Sequence, residues 1–277
     1  VRIRVIFLLQ NKGAVVPFHH QYLIYDKVTE LMGDSMEGLE HPELCFSGIK
    51  GQTGVNKHGL QYFSSRITIV FSSPNAAYMR QLLDRIFSLK QLSIGNLLLV
   101  PEYAEEEQIP QLEAKAKYLA ISPIVILAPT SDVEFSKRFV NPVEDEFSDL
   151  IFNATMHRMQ SSGMYSRYEM ERFSTFQVLP DMDYLNRMKA GEKKFSRIYP
   201  VMVEGQKLEV RGYTFPFELY AAPEVQQFVL LSGIGALCSM GFGMLDVANQ
   251  SLAPNAQPIR IRGEVATPEL QRQFLPK

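Results

Sequence analysis

Five histidines, His19, His20, His41, His58 and His157, are the side chains of this sequence whose ordinary pKa places proton transfer near neutral pH. A glycine-rich segment, Gly233-Ile234-Gly235-Ala236-Leu237-Cys238-Ser239-Met240-Gly241-Phe242-Gly243-Met244, has the composition of a backbone anion-binding loop. Glycine tolerates positive φ and carries no side chain to hold a ligand away from successive N–H groups. Basic side chains gather in the run Arg187, Lys189, Lys193, Lys194 and Arg197, and again between Lys207 and Arg211. Such residues bind phosphate oxygens without reading sequence. Cys45 and Cys238 are the only cysteines, and neither belongs to a CxxC pair or a Cys/His cluster, so no zinc site is expected. Two cysteines also give no disulfide framework, which points to a reducing compartment and a cytoplasmic protein.

The elements that must carry these residues follow from length, charge and periodicity. With 277 residues, the chain fits two domains of roughly 150 residues better than one. Its 46% hydrophobic and 21% charged residues exclude global disorder. The net charge of −2 hides an uneven distribution: residues 1–100 net +3, 101–150 net −7, and 151–277 net +2. The acidic stretch holds Glu102, Glu105, Glu106 and Glu107 and reads as a solvated connector, with a negatively charged docking surface as the alternative. Val225–Leu245 is uncharged and long enough to span a bilayer, but Gly233, Gly235, Gly241 and Gly243 crowd its second half. A buried helix followed by a glycine loop fits better. Ile3–Leu9 contains Arg4 and no small-residue cleavage site, so it reads as a strand and not as a signal peptide.

Alternation of Arg2 and Arg4 with Ile3, Val5 and Phe7 predicts a half-buried strand. Apolar spacing of three and four predicts a helix from His20 to Gly33. Strands are expected over 44–49 and 61–71, separated by a long hairpin loop at 50–59 in which Lys57 and His58 stand together. A helix over 75–89 and a strand over 92–103 complete a βαββαβ order, the ferredoxin-like plan. A looser version recurs: strand 115–127, helix 144–159, strands near 198–203 and 208–220, helix 223–232, and a strand after Gly243. The reading is therefore α+β, with two tandem ferredoxin-like domains at 1–108 and 109–248 and a tail or linker at 249–277. Residues 164–188 show no clean period.

Three segments resemble the CRISPR-associated endoribonucleases of the RAMP group, which cut precursor CRISPR RNA within its repeats. They are Pro17-Phe18-His19-His20-Gln21-Tyr22, Ile121-Ser122-Pro123-Ile124-Val125, and the glycine segment ending Ser239-Met240-Gly241-Phe242-Gly243-Met244. The resemblance implies cleavage without a metal or other cofactor. The ribose 2′-hydroxyl attacks the adjacent phosphorus and leaves a 2′,3′-cyclic phosphate and a 5′-hydroxyl. Such a reaction needs a base for the 2′-OH proton and donors for the phosphorane. It further implies CRISPR repeat RNA as partner, with other effector subunits as further partners, and neither membrane nor DNA.

By the same resemblance, His41, between the first helix and the next strand, is the general base, Tyr25 faces the site, and Lys50 is the cation near the phosphate. Thr29 competes with Tyr25 for the family position. The expected RNA contacts are Lys57, His58, Lys193, Lys194, Arg197, Lys207 and Arg211, with Gly233, Gly235, Ser239, Gly241 and Gly243 of the loop. Leu237, Cys238 and Ser239 stand where many relatives carry basic residues, so charge must come from elsewhere. His19 and His20 read as structural, His157 as solvated, and His58 as the alternative base. A non-catalytic CRISPR RNA-binding subunit is the competing reading.

Overall fold

The computed structural model describes residues 1–33, 44–127, 140–203, 206–248 and 257–259. In chain order the first unit contains β1 (Arg2–Leu9), β2 (Val15–Val16), α1 (Gln21–Met32), β3 (Cys45–Phe46), β4 (Thr53–Asn56), β5 (Gly59–Tyr62), β6 (Arg66–Ser72), α2 (Ala76–Ser88), β7 (Leu92–Ile94) and β8 (Leu97–Glu106). The second contains β9 (Lys115–Ala120), β10 (Ile124–Val125), α3 (Asp145–Ser161), α4 (Arg167–Arg172), β11 (Phe176–Pro180), α5 (Met182–Ala190), β12 (Ser196–Val203), β13 (Gln206–Tyr213), β14 (Pro216–Ala221), α6 (Pro223–Ser232) and β15 (Leu245–Val247), and β16 (Gln257–Pro258) follows.

The main sheet of the first unit runs β8-β1-β6-β3, and that of the second runs β11-β14-β9-β15. Both are the antiparallel order of the ferredoxin-like plan, so the predicted fold class holds in each half. In β1, Ile3, Val5, Phe7 and Leu9 enter the core beneath the helices, while Arg2 and Arg4 lie on the opposite face. Helix α2 begins where Asn75 accepts the Tyr78 amide at 2.9 Å, a cap worth about 1 kcal/mol. It buries Met79, Leu82, Leu83 and Ile86, each contributing roughly 1.5–3 kcal/mol. The second core gathers Tyr118, Phe147, Phe217, Leu219 and Phe228 around α3 and α6.

Several sequence expectations change. The strand expected over 61–71 is two strands, β5 and β6, and the loop expected over 50–59 contains β4, so that β2-β5-β4 forms a small sheet of its own. The second strand of the second ferredoxin-like unit is β11, inside the segment without clean period, and its third strand is β14 alone. Residues 196–203 and 206–213 pair instead as a separate hairpin joined by β10. The acidic run at 102–107 is not a solvated connector: Glu102, Glu105 and Glu106 belong to β8, where Glu105 lies opposite Arg4, and the Glu107 that follows is buried against Arg2. Within the expected tail, the described residues 257–259 lie against the first unit, where β16 pairs with β8 and Ile259 packs on the core.

Candidate functional site

The glycine segment sits where the two units meet. After α6 it turns through Gly233 and Gly235, forms a single 3-10 turn at Cys238–Met240, and reverses through Gly241 and Gly243, all four glycines having φ between +69° and +84°. A Cβ on Gly241 would lie 2.2 Å from the Phe46 ring, one on Gly235 2.5 Å from the Val125 carbonyl oxygen, and one on Gly243 2.0 Å from the Ile234 carbonyl oxygen. Glycine is thus required by protein packed against the backbone.

Several of the loop amides are bonded within the protein. The Gly243 N–H donates to the Pro123 carbonyl at 2.8 Å, the Gly241 N–H to Cys238 at 3.0 Å, the Ala236 N–H to Val125 at 2.9 Å, and the Ile234 N–H to Gly243 at 2.9 Å. Gly233, Gly235, Gly241 and Gly243 are buried, while Ser239 at the apex is exposed. Two of the segments singled out in the sequence are therefore bonded to each other, since Ser122 also accepts the Met244 amide at 2.7 Å.

Arg158, on α3, holds this loop from behind and was not recognised in the sequence. Its guanidinium donates to the Gly233 carbonyl and contacts the Cys238 sulfur, each at 3.0 Å, and bonds the Ser232 carbonyl at the end of α6. No local signal marks it, because its partners lie about 75 residues away along the chain. His157 beside it is exposed.

The first segment docks on the same junction. His20 is buried, with Nδ1 3.2 Å from the Pro17 carbonyl and Nε2 accepting the Ile49 amide at 3.0 Å. Burial, the larger cause, pulls its pKa below the usual histidine range, and the Nδ1–H tautomer satisfies both partners. His20 is structural, tying the start of α1 to the chain after β3. Arg197 lies over the Phe18 ring at 5.5 Å.

Tyr25 is half-buried and lines a crevice between α1, β12 and Met240 of the glycine loop. Thr29 is exposed one turn later. Lys50 lies elsewhere, bridged to Thr68 of β6 on the sheet face that carries Arg2 and Arg4. Packing around its ammonium, and then Arg2, lower its pKa, while Asp246 and Glu107 act in the opposite direction. His41 lies outside the described residues, in 34–43 between α1 and β3. Lys57 and His58 are exposed at the β4–β5 turn, and the Lys207 side chain is outside the described set.

The basic residues of the second unit converge. A groove of about 860 Å³ between α5 and the β12–β13 hairpin is lined by Lys189, Lys193, Lys194, Arg197 and Arg211, with no acidic residue among the described residues of its walls. The expected contacts Lys193, Lys194, Arg197 and Arg211 therefore share one surface, and Lys189 joins them. Such a groove concentrates positive potential on a polyanion.

A family model described as CRISPR associated protein Cas6, C-terminal, matches residues 104–247, just over half of the chain. Over 259 residues the chain is 20% identical to a Pyrococcus furiosus protein named as a CRISPR-associated endoribonuclease-like protein, Cas6, covering 90% of this chain and 100% of that one. A solved structure described as the characterization of a Cas6-related gene from Pyrococcus furiosus superposes with a TM-score of 0.72 at 18% identity, over 90% of this chain and 99% of the other. Another, described as an RAMP protein binding different RNA substrates, has a TM-score of 0.71 at 19% identity, over 89% and 98%. These structures share the fold of tandem ferredoxin-like units.

Proposed function

The chain belongs to the CRISPR-associated Cas6 family, and from that premise we propose that it is an endoribonuclease that binds CRISPR repeat RNA and cuts precursor CRISPR RNA. The observation that carries this reading is the basic groove of Lys189, Lys193, Lys194, Arg197 and Arg211, whose floor strand β12 leads on to the crevice holding Tyr25 and Met240. A phosphate chain laid along the groove is thereby led to α1, the helix from which the segment bearing His41 departs.

In the proposed mechanism His41 takes the proton of the ribose 2′-hydroxyl as its oxygen attacks the neighbouring phosphorus. The P–O5′ bond breaks, and the 5′ oxygen leaves with a proton supplied by a second acid or by water. Tyr25 and Lys50 occupy separate places in the first unit, so one of the two, and not both, donates to the non-bridging oxygens, where negative charge grows in the phosphorane. The products are a 2′,3′-cyclic phosphate and a 5′-hydroxyl. Ser239 at the loop apex, Lys57 and His58 on the β4–β5 turn, and Lys207 are the further proposed RNA contacts.

The second reading, a non-catalytic subunit that retains CRISPR RNA in an effector complex, is favoured by the internal use of the Gly241 and Gly243 amides. One assay decides. Purified protein is incubated in EDTA with labelled repeat RNA, and in parallel with the same RNA bearing a 2′-deoxy nucleotide upstream of the cut. Cleavage of the first alone, with a cyclic phosphate end, is the expected result. Binding of both RNAs without product would leave the retention reading.

A further inference from the structure

The crevice beside the basic groove has a chemistry of its own. It measures about 230 Å³, below the roughly 300–1,000 Å³ of ordinary ligand pockets, so it has room for one planar ring system. His19, Tyr22 and Tyr25 supply rings on the α1 side, Met202 and Met240 come from β12 and the glycine loop, and Asp26 is the acidic member among the described residues of the wall. The His19 and Tyr22 rings lie 5.8 Å apart and 30° from parallel. Tyr22 and Asp26, one helical turn apart, share a face of α1.

The groove and the crevice lie on one strand. Arg197 and Ile198 of β12 line the first, Pro200 and Met202 the second, and five residues of strand span about 17 Å. Among the described residues, the groove is lined by cations without an acid, and the crevice is aromatic, holds a carboxylate and has neither Lys nor Arg in its wall. A ligand that suits both has a polyanionic backbone with an aromatic branch, and the branch presents N–H donors to Asp26.

Building on the RNA-processing reading above, we propose that this crevice is a base-recognition subsite that takes one unpaired guanine from the RNA held along the groove. Unstacked bases are commonly bound between aromatic side chains and read along their Watson–Crick edge. A carboxylate close to a phosphate chain is repelled unless donors stand between them. Guanine presents N1–H and N2–H side by side, matching the two oxygens of a carboxylate. Uracil turns two carbonyls to the same position, while adenine and cytosine place a ring nitrogen acceptor beside their single amino group. Tyr22, 37% exposed before binding, closes over the base.

The test is an inosine scan. Full-length protein is titrated with repeat RNA from the array nearest its gene, each guanosine being replaced in turn by inosine, which lacks the N2 amino group. One position should weaken binding by roughly 10- to 100-fold, the range for a hydrogen bond to a charged group. Asp26→Ala should erase the penalty at that position and no other. Tyr22→Ala should weaken binding of the unmodified RNA by about 5- to 150-fold through lost stacking. If wild-type protein binds the RNA but no inosine penalty depends on Asp26, the guanine subsite is overturned while the RNA reading stands. If wild-type protein does not bind the RNA at all, both fall.

Discussion

Arg2 and Glu107, 105 positions apart in the chain, form an ion pair with 1% and 5% of their surfaces exposed. The same guanidinium donates to the Leu245 carbonyl of β15 at 2.6 Å and lies 3.7 Å from Asp246. One side chain therefore joins the open face of the first sheet to the fourth strand of the second. Removing Glu107 leaves a buried cation with a single, more distant carboxylate. Glu107→Ala should destabilise the protein by about 3 kcal/mol or more, read as a lower urea midpoint. An unchanged midpoint would mean the pair does not hold the junction.

His20 should make stability depend on pH. The folded protein favours the neutral ring, so its pKa lies below the value of about 6.5 expected of an unfolded chain. Its stabilising contribution is complete above pH 6.5 and declines as pH falls toward the folded pKa, because the unfolded state takes the proton first. His20→Gln should flatten this part of the stability–pH curve measured by thermal unfolding. His20→Ala should cost about 1–3 kcal/mol at pH 8 by orphaning the buried Ile49 amide.

Two glycines with positive φ separate backbone strain from packing. Gly163, with φ +65° and open space around it, should lose about 1–2 kcal/mol on replacement by Ala. Gly241→Ala adds a clash with the Phe46 ring and should cost roughly 1–3 kcal/mol more. Equal losses in chemical denaturation would refute the packing role of the loop glycines.

Binding through the basic groove should be salt-dependent. Each phosphate contact removed lowers the slope of log K against log salt by about 0.7 for a single strand. Lys193→Ala with Arg197→Ala should therefore reduce the slope by roughly 1.4 in fluorescence titrations, and weaken all RNA sequences alike. A sequence-selective loss would place base readout at these residues instead.

His41→Ala should slow single-turnover cleavage by roughly 10²- to 10⁴-fold, the span for losing an acid–base group, with affinity little changed. His58→Ala should leave the rate near wild type. Should the effects be exchanged, the base is His58 on the β4–β5 turn.

Much of the fold was legible in local pattern. Alternation in Arg2–Leu9, the three- and four-residue spacing in α1 and α2, and the turn signals between them mark elements whose buried face repeats at the period of the backbone. Two ferredoxin-like units followed from their order. The family was carried by short segments, and two of them proved to bind each other through Ser122, Pro123, Gly243 and Met244.

What local pattern could not carry was partnership. Glu107 resembles any residue of an acidic run until Arg2 is placed opposite it. β11 has too few core positions, Val178 being its only buried residue, to stand out before β14 lies beside it. Residues 196–213 read as strands of the second unit yet pair as a separate hairpin, because strand periodicity specifies a face and not a neighbour. The glycines announced a tight loop, but whether a ligand or Phe46 fills the space above Gly241 was decided only when the two units packed together. Sequence set the elements and the family because these depend on neighbours in the chain; tertiary structure alone decided which charges are buried, which amides remain for a ligand, and where cations and aromatic rings meet, because each depends on residues brought together from far apart.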